Sequence, residues 1–99
     1  MQINKNLGGA TLTLDIEGRI DTTTAPALEG ELKRYVTSDV KNLVLDFAKV
    51  EYISSAGLRV LLAAQKVMKK QGSMVVKNVN DSIMEVFDVT GFADILTIE

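Results

Sequence analysis

Two adjacent serines, Ser54 and Ser55, stand before Ala56-Gly57-Leu58 and a long stretch rich in Leu, Ala, Gln and Lys. A hydroxyl at the head of a helix has two uses. As an N-cap its oxygen accepts an N–H from the first turn, and this accounts for one of the two serines. The second use is chemical: a helix start carries unpaired N–H groups and the positive end of the macrodipole, which together receive a phosphate. Gly in a helix costs about 1 kcal/mol relative to Ala, so Ala56-Gly57 reads as a backbone left open to an approaching group. A phosphate on a serine here adds about −1.5 to −2 charges to the surface the helix end presents. The residues suit a modification switch that alters binding while the chain stays folded.

A second polar stretch is Gly18-Arg19-Ile20-Asp21-Thr22-Thr23-Thr24. Its plain reading is a turn with a threonine cap. Asp21 falls at the end of a strand, which puts its carboxylate on the same rim as the serine pair. The other carboxylates, Asp15, Glu17, Asp46 and Glu51, have neither EF-hand spacing nor the arrangement of a paired acid and base, and they read as solvated surface. Lys66, Lys69 and Lys70 suit the C-terminal end of a helix dipole. No G-x-G-x-x-G and no Walker A sequence is present.

Composition narrows the chemistry further. The 99 residues contain no His and no Cys. Ser-His and Cys-His catalysis are therefore excluded, as are disulfides, and imidazole- and thiolate-based metal sites go with them, so no metal site is expected. The 11 basic and 13 acidic residues are spread along the chain and leave a net charge of −2, which argues against a nucleic-acid partner. Met1 to Leu7 is polar and does not read as a secretory signal. The longest apolar run, Val60 to Ala64, is far short of the ~20 residues that span a bilayer, so a soluble, cytoplasmic protein without a membrane partner is expected.

The elements that position these residues follow closely on one another. Leu12, Leu14 and Ile16 alternate with Thr11, Thr13, Asp15 and Glu17, the pattern of a strand buried on one face. Gly8-Gly9 predicts a hairpin that pairs it with Gln2 to Asn6. Thr24 and Pro26 open an amphipathic helix from Ala25 to Thr37. Leu43 to Phe47 reads as an interior strand, Ala48 to Ser54 as a loop, and Ser55 to Gln71 as a helix closed by Gly72. Met74 to Lys77 is a further strand, parallel to the preceding one through a right-handed crossover. A last helix runs from about Asn80 or Ser82 to Thr90, with Ser82 and Glu85 as a candidate capping box and Gly91 as terminator, and Ile95 to Ile98 adds an edge strand.

In that order and spacing, Gly18-Arg19-Ile20-Asp21, Leu43-Val44-Leu45-Asp46-Phe47, Tyr52-Ile53-Ser54-Ser55-Ala56-Gly57-Leu58 and Thr90-Gly91-Phe92 resemble bacterial anti-sigma-factor antagonists of the STAS family. The resemblance covers essentially the whole chain. It implies an α/β fold, a STAS-like mixed β-sheet with helices packed mainly on one face, in a single domain over residues 1–99. It implies a binding protein, with no enzymatic activity and no cofactor. The implied partners are an anti-sigma factor that is also a serine kinase of the histidine-kinase-like ATPase fold, and a metal-dependent Ser/Thr phosphatase. The kinase binds the unphosphorylated antagonist, releases sigma factor and phosphorylates the serine; the phosphatase reverses this.

The acceptor implied by the resemblance is Ser55, which immediately precedes Ala56-Gly57-Leu58, and Asp21 matches the family's rim carboxylate. Ser54, Ala56, Gly57, Leu58 and Arg59 complete the implied partner-binding surface. Ser54 stands where many members carry Asp, and Arg59 where a smaller residue is common. The alternative within the family is an accessory or ligand-sensing module of a transport or scaffold complex, in which both serines are only caps.

Overall fold

The alternation of apolar and polar residues after Gly9 builds a strand with one buried face. In the computed structural model, which describes residues 1–99, this is β2 (Thr11–Ile20), with Leu12, Leu14 and Ile16 buried. β1 (Gln2–Gly8) folds back antiparallel on it through the two-glycine turn, with Gly8 opposite Thr11. The chain continues through α1 (Ala25–Tyr35), β3 (Asn42–Ile53), α2 (Ser55–Gln71), β4 (Ser73–Lys77), α3 (Asp81–Thr90), the short α4 (Phe92–Ile95) and β5 (Thr97–Ile98). The sheet order is β1-β2-β3-β4-β5, parallel from β2 onward. Each parallel strand lies beside its predecessor, so right-handed crossovers place the helices on one face of the sheet.

One core of 23 buried residues fills the space between the two layers, and no polar residue is buried in it. Leu43, Leu45 and Phe47 of β3 meet Leu28 and Leu32 of α1, Leu61 and Met68 of α2, and Ile83 and Phe87 of α3 in this core. The Phe47 and Phe87 rings sit 6.4 Å apart in a tilted pair. Each such side chain taken out of water contributes roughly 1.5–3 kcal/mol, against the conformational entropy of ordering the chain. The opposite face of the sheet carries Thr13, Asp15, Glu17 and Asp46 and is open to solvent or half-buried. No helix is long and apolar enough to cross a membrane.

The stretch from Ala48 to Ile53, expected as loop, is strand. β3 spans Asn42–Ile53 and stays paired with β2 to the end, Ile20 opposite Ile53. The register slips twice, between Asp15 and Glu17 and between Gly18 and Arg19, each slip leaving one extra residue on β3. The buried positions after Phe47 are therefore Val50 and Ile53, a spacing of three that breaks the alternation by which a strand is recognised. Gly18, at φ +104, allows the second slip. Two caps also differ from expectation. α3 is capped by Asn80, whose Oδ1 accepts from the Ile83 N–H at 2.9 Å, and not by a Ser82–Glu85 box. α1 ends at Tyr35, and the Thr24 side chain makes no cap bond to the helix.

Candidate functional site

β2 and β3 end together, and the chain enters a helix beyond each. The Ser54 N–H donates to the Ile20 carbonyl at 2.8 Å, so the residue before Asp21 and the residue before Ser55 are tied by one backbone bond. Asp21 and the serine pair thus share one rim, as expected of a parallel β2–β3 pair.

The two serines have different environments. Ser54 is the N-cap of α2: its backbone is extended, its Oγ accepts the Gly57 N–H at 3.3 Å, and its carbonyl accepts the Leu58 N–H at 2.9 Å. Ser55 is the first helical residue, exposed, and its hydroxyl has no protein partner. The N–H groups of Ser55 and Ala56 are unbonded, as first-turn amides of a helix must be unless something caps them. Arg59, also exposed, lies one turn on from Ser55 along the same side of α2.

Gly57 has a structural reason that the sequence reading missed. It is buried, and a Cβ there would lie 2.7 Å from the Ile20 Cγ2 and 2.8 Å from the Ile53 Cγ1. Its absent side chain lets α2 press onto the ends of β2 and β3, so packing, and not access for a ligand, explains the glycine. Leu58 is only 7% exposed and belongs to the core, whereas Ser55 and Arg59 stand at the surface.

Asp21 is knotted into its own turn. Its Oδ1 accepts the Thr23 and Thr24 N–H groups, both at 3.0 Å, while Thr24 Oγ1 accepts the Asp21 N–H at 2.8 Å and donates to the Arg19 carbonyl at 2.7 Å. The amide of Thr24 is the main cause that holds the Asp21 carboxyl below its usual value; desolvation opposes it, and the Thr23 amide, the Thr24 hydroxyl and Arg19 add to it. The Arg19 Nε lies 3.9 Å from the other oxygen, Oδ2, and its guanidinium sits 4.3 Å over the Tyr52 ring. Tyr52 is 41% exposed, and this Arg–Tyr stack beside Asp21 was not singled out by the sequence reading. The signal was obscured because Tyr52 follows the second register slip, in a stretch without visible periodicity.

The rim therefore carries the free Ser55 hydroxyl at the open first turn of α2, together with Arg59, Asp21 and the Arg19–Tyr52 stack. No group of His, Cys, Asp and Glu side chains that suits a metal ion is present. The family model for the STAS domain matches residues 2–99. The chain belongs to the STAS domain family. BtrV of Bordetella bronchiseptica, assigned as an anti-sigma factor antagonist, is 37% identical over 84 residues, covering 84% of this STAS chain and 72% of BtrV. The anti-sigma-B factor antagonist of Bacillus subtilis is 33% identical over 88 residues, covering 88% of this chain and 80% of its own. Among solved structures, SpoIIAA, an anti-sigma factor antagonist, superposes in its unphosphorylated form with TM-score 0.78 over 99% of this chain and 87% of its own. Its phosphorylated form superposes with TM-score 0.77 over 99% and 91%. At 13% identity, this likeness is one of fold. The STAS domain thus has the α/β architecture expected for it, and its relatives by sequence are anti-sigma factor antagonists.

Proposed function

We propose that this STAS domain is an anti-sigma-factor antagonist that binds an anti-sigma serine kinase through the α2 rim and is switched off by phosphorylation of Ser55. The observation that carries the acceptor assignment is the division of labour between the serines. The Ser54 oxygen is committed to the Gly57 amide, whereas the Ser55 hydroxyl is exposed and unbonded. In the proposed step the γ-phosphoryl group of ATP passes to Ser55 Oγ, the hydroxyl proton passes to a base of the kinase, and ADP leaves. The product sits where the open amides of α2 and its dipole favour an anion, and Arg59 one turn on supplies a cation.

The added charge leaves the fold alone and changes the docking surface. This chain is equally similar in fold to the phosphorylated and unphosphorylated forms of SpoIIAA, which supports a modification that the architecture absorbs. A Ser/Thr phosphatase resets the switch, and the cycle belongs in the cytoplasm, with its partners. Incubation with the cognate anti-sigma kinase and ATP is expected to add one phosphate, at Ser55 by peptide mapping. A phosphate on Ser54, or none, overturns the assignment. Ser55→Ala is expected to bind the kinase as wild type does, and Ser55→Asp to bind more weakly, though less weakly than the phosphoprotein, because Asp brings about one charge where phosphoserine brings up to two. Equal calorimetric affinities for wild type, Ser55→Asp and phosphoprotein would refute electrostatic exclusion.

A further inference from the structure

Away from the rim, a groove of about 270 Å3 runs between α1 and α2. Leu32 of α1 and Val36 just beyond its end form one wall, and Val60, Ala63, Ala64 and Val67 of α2 the other. Leu32, Val60 and Ala64 are recessed in the floor, at 6%, 6% and 9% exposure, whereas Val67 is 46% exposed on the wall. The groove is held in shape at one end by Gln71, whose Nε2 donates to the Thr37 and Val40 carbonyls, both at 2.7 Å, tying α2 to the α1–β3 connection.

The α2 side of this groove carries charge of one sign. α2 contains four basic residues and no Asp or Glu, in a chain whose net charge is −2. Arg59, Lys66 and Lys70 recur at spacings of seven and four residues, so they share with Ala63 a stripe of α2 that borders the groove, whose own charged lining residues are Glu29 and Lys33. None of the three has a carboxylate within ion-pair distance, whereas Lys33 on the opposite wall pairs with Glu29 at 3.4 Å. A cationic lip over an apolar floor has its electrostatic complement in an acidic, apolar partner.

We propose that the α1–α2 groove is a docking site for an acidic amphipathic helix of a partner protein, separate from the Ser55 rim. A helix is the shape that enters a trough between two helices, placing apolar side chains at i, i+3, i+4 and i+7 into it. The small Ala63 lets its backbone come close, and the preformed trough keeps the ordering cost of binding low. A flat bilayer does not reach the recessed floor, and the groove is lined by no aromatic residue that would anchor one. Arg59, one turn from Ser55, belongs to the rim, whereas Lys66 and Lys70 lie eleven and fifteen residues along α2 from Ser55, roughly 16 and 22 Å at the helical rise, so charge on Ser55 is largely screened from these two. The site therefore lets a second partner stay bound in both states of the rim.

The test uses the unphosphorylated full chain, the Ser55→Asp variant and a synthetic amphipathic peptide of about 18 residues, with Leu on one face and Glu on its flanks. A second peptide has Lys in place of Glu, and vesicles of phosphatidylglycerol and phosphatidylcholine serve as the lipid probe. The Glu peptide is expected to shift the NMR signals of Val36, Val60, Ala63 and Val67, to bind at least about tenfold more tightly than the Lys peptide, and to weaken as salt is raised. Lys66→Glu with Lys70→Glu, both at exposed positions, is expected to cost about tenfold in affinity, and Ser55→Asp less than about twofold. The proposal is overturned by absent groove shifts, by equal binding of the two peptides, by undiminished binding to the Lys66→Glu, Lys70→Glu protein, or by a larger effect of Ser55→Asp. It is overturned as well if the vesicles bind through the Lys66 and Lys70 stripe more tightly than the Glu peptide does.

Discussion

β2 and β3 end at one rim and each hands the chain to a helix, yet the two junctions are built in opposite ways. Ahead of α1, the turn is closed by two side chains: Asp21 and Thr24 bond each other's backbone reciprocally, and Thr24 also closes back on Arg19, while the Thr22 and Thr23 hydroxyls face solvent. Ahead of α2, one serine caps the helix and its neighbour's hydroxyl has no protein partner. A carboxylate whose bonds are made within its own turn is explained by stability alone. An exposed hydroxyl over unbonded amides is not required by the fold and is free for other chemistry. The comparison separates Asp21, which the resemblance offers as a partner-facing carboxylate, from Ser55: the first holds the rim in shape, and the second is available at it.

Substitution at Gly57 is expected to have the largest effect on the α2 junction. Gly57→Val places a Cβ against Ile20 and Ile53 at 2.7 and 2.8 Å and adds two methyl groups beyond it. Overpacking of this kind costs typically 1–3 kcal/mol, and about 3 kcal/mol is expected from denaturant unfolding, since the few tenths of a kcal/mol by which Val exceeds Gly in helix propensity offset little of it. A neutral result would mean that α2 does not need its close approach to the strand ends.

Next in size is Asp21→Ala, which removes the acceptor from the Thr23 and Thr24 amides and is expected to lower the melting temperature more than either serine variant. Asp21→Asn sharpens the point through pH. The folded-state pKa lies below the usual 3.8, so the ionised form is the one the fold favours. Its contribution is complete above about pH 4 and is lost as pH falls through the lowered value. Acid unfolding curves are expected to be shallower for Asp21→Asn than for wild type. Some acid sensitivity remains, because Asp46 is lowered too, chiefly by the Asn78 side chain and then by the Ala48 amide. Identical acid limbs would show that the Asp21 knot is not retained as a charge-dependent structure.

Much of this architecture is legible in the sequence because the rules that shape it are local. Alternation in β2, the amphipathic spacing of α1 and the glycine after α3 each act within a few residues, and all three appear where expected. The second half of β3 was illegible for the opposite reason: its burial at Phe47, Val50 and Ile53 is set by register slips against β2, a partner more than thirty residues away. The same slips hid Tyr52, and with it the stack on Arg19. Gly57 was misread because the atoms that exclude its side chain, on Ile20 and Ile53, belong to the strands beneath α2. The serine pair was legible as a pair, but which of the two caps depends on where the helix starts, and helix starts shift by one or two residues on local signals.

The smallest expected effects fall on the serines themselves, and they set the two hydroxyls apart most directly. Ser54→Ala removes the only side-chain acceptor for the Gly57 amide and is expected to cost about 1 kcal/mol, within the 0.5–2 kcal/mol typical of a lost N-cap. Ser55→Ala removes a solvated hydroxyl that bonds nothing, at a helical position where Ala is the better helix former, and is expected to change stability by less than about 0.5 kcal/mol. Denaturant unfolding of the two single variants and the double variant measures this directly. The double variant is expected to match Ser54→Ala, since a hydroxyl without partners has no coupling to lose. If instead Ser55→Ala is the costly one, the helix begins one residue later in solution, Ser54 is the free hydroxyl, and phosphate acceptance moves to Ser54 with it.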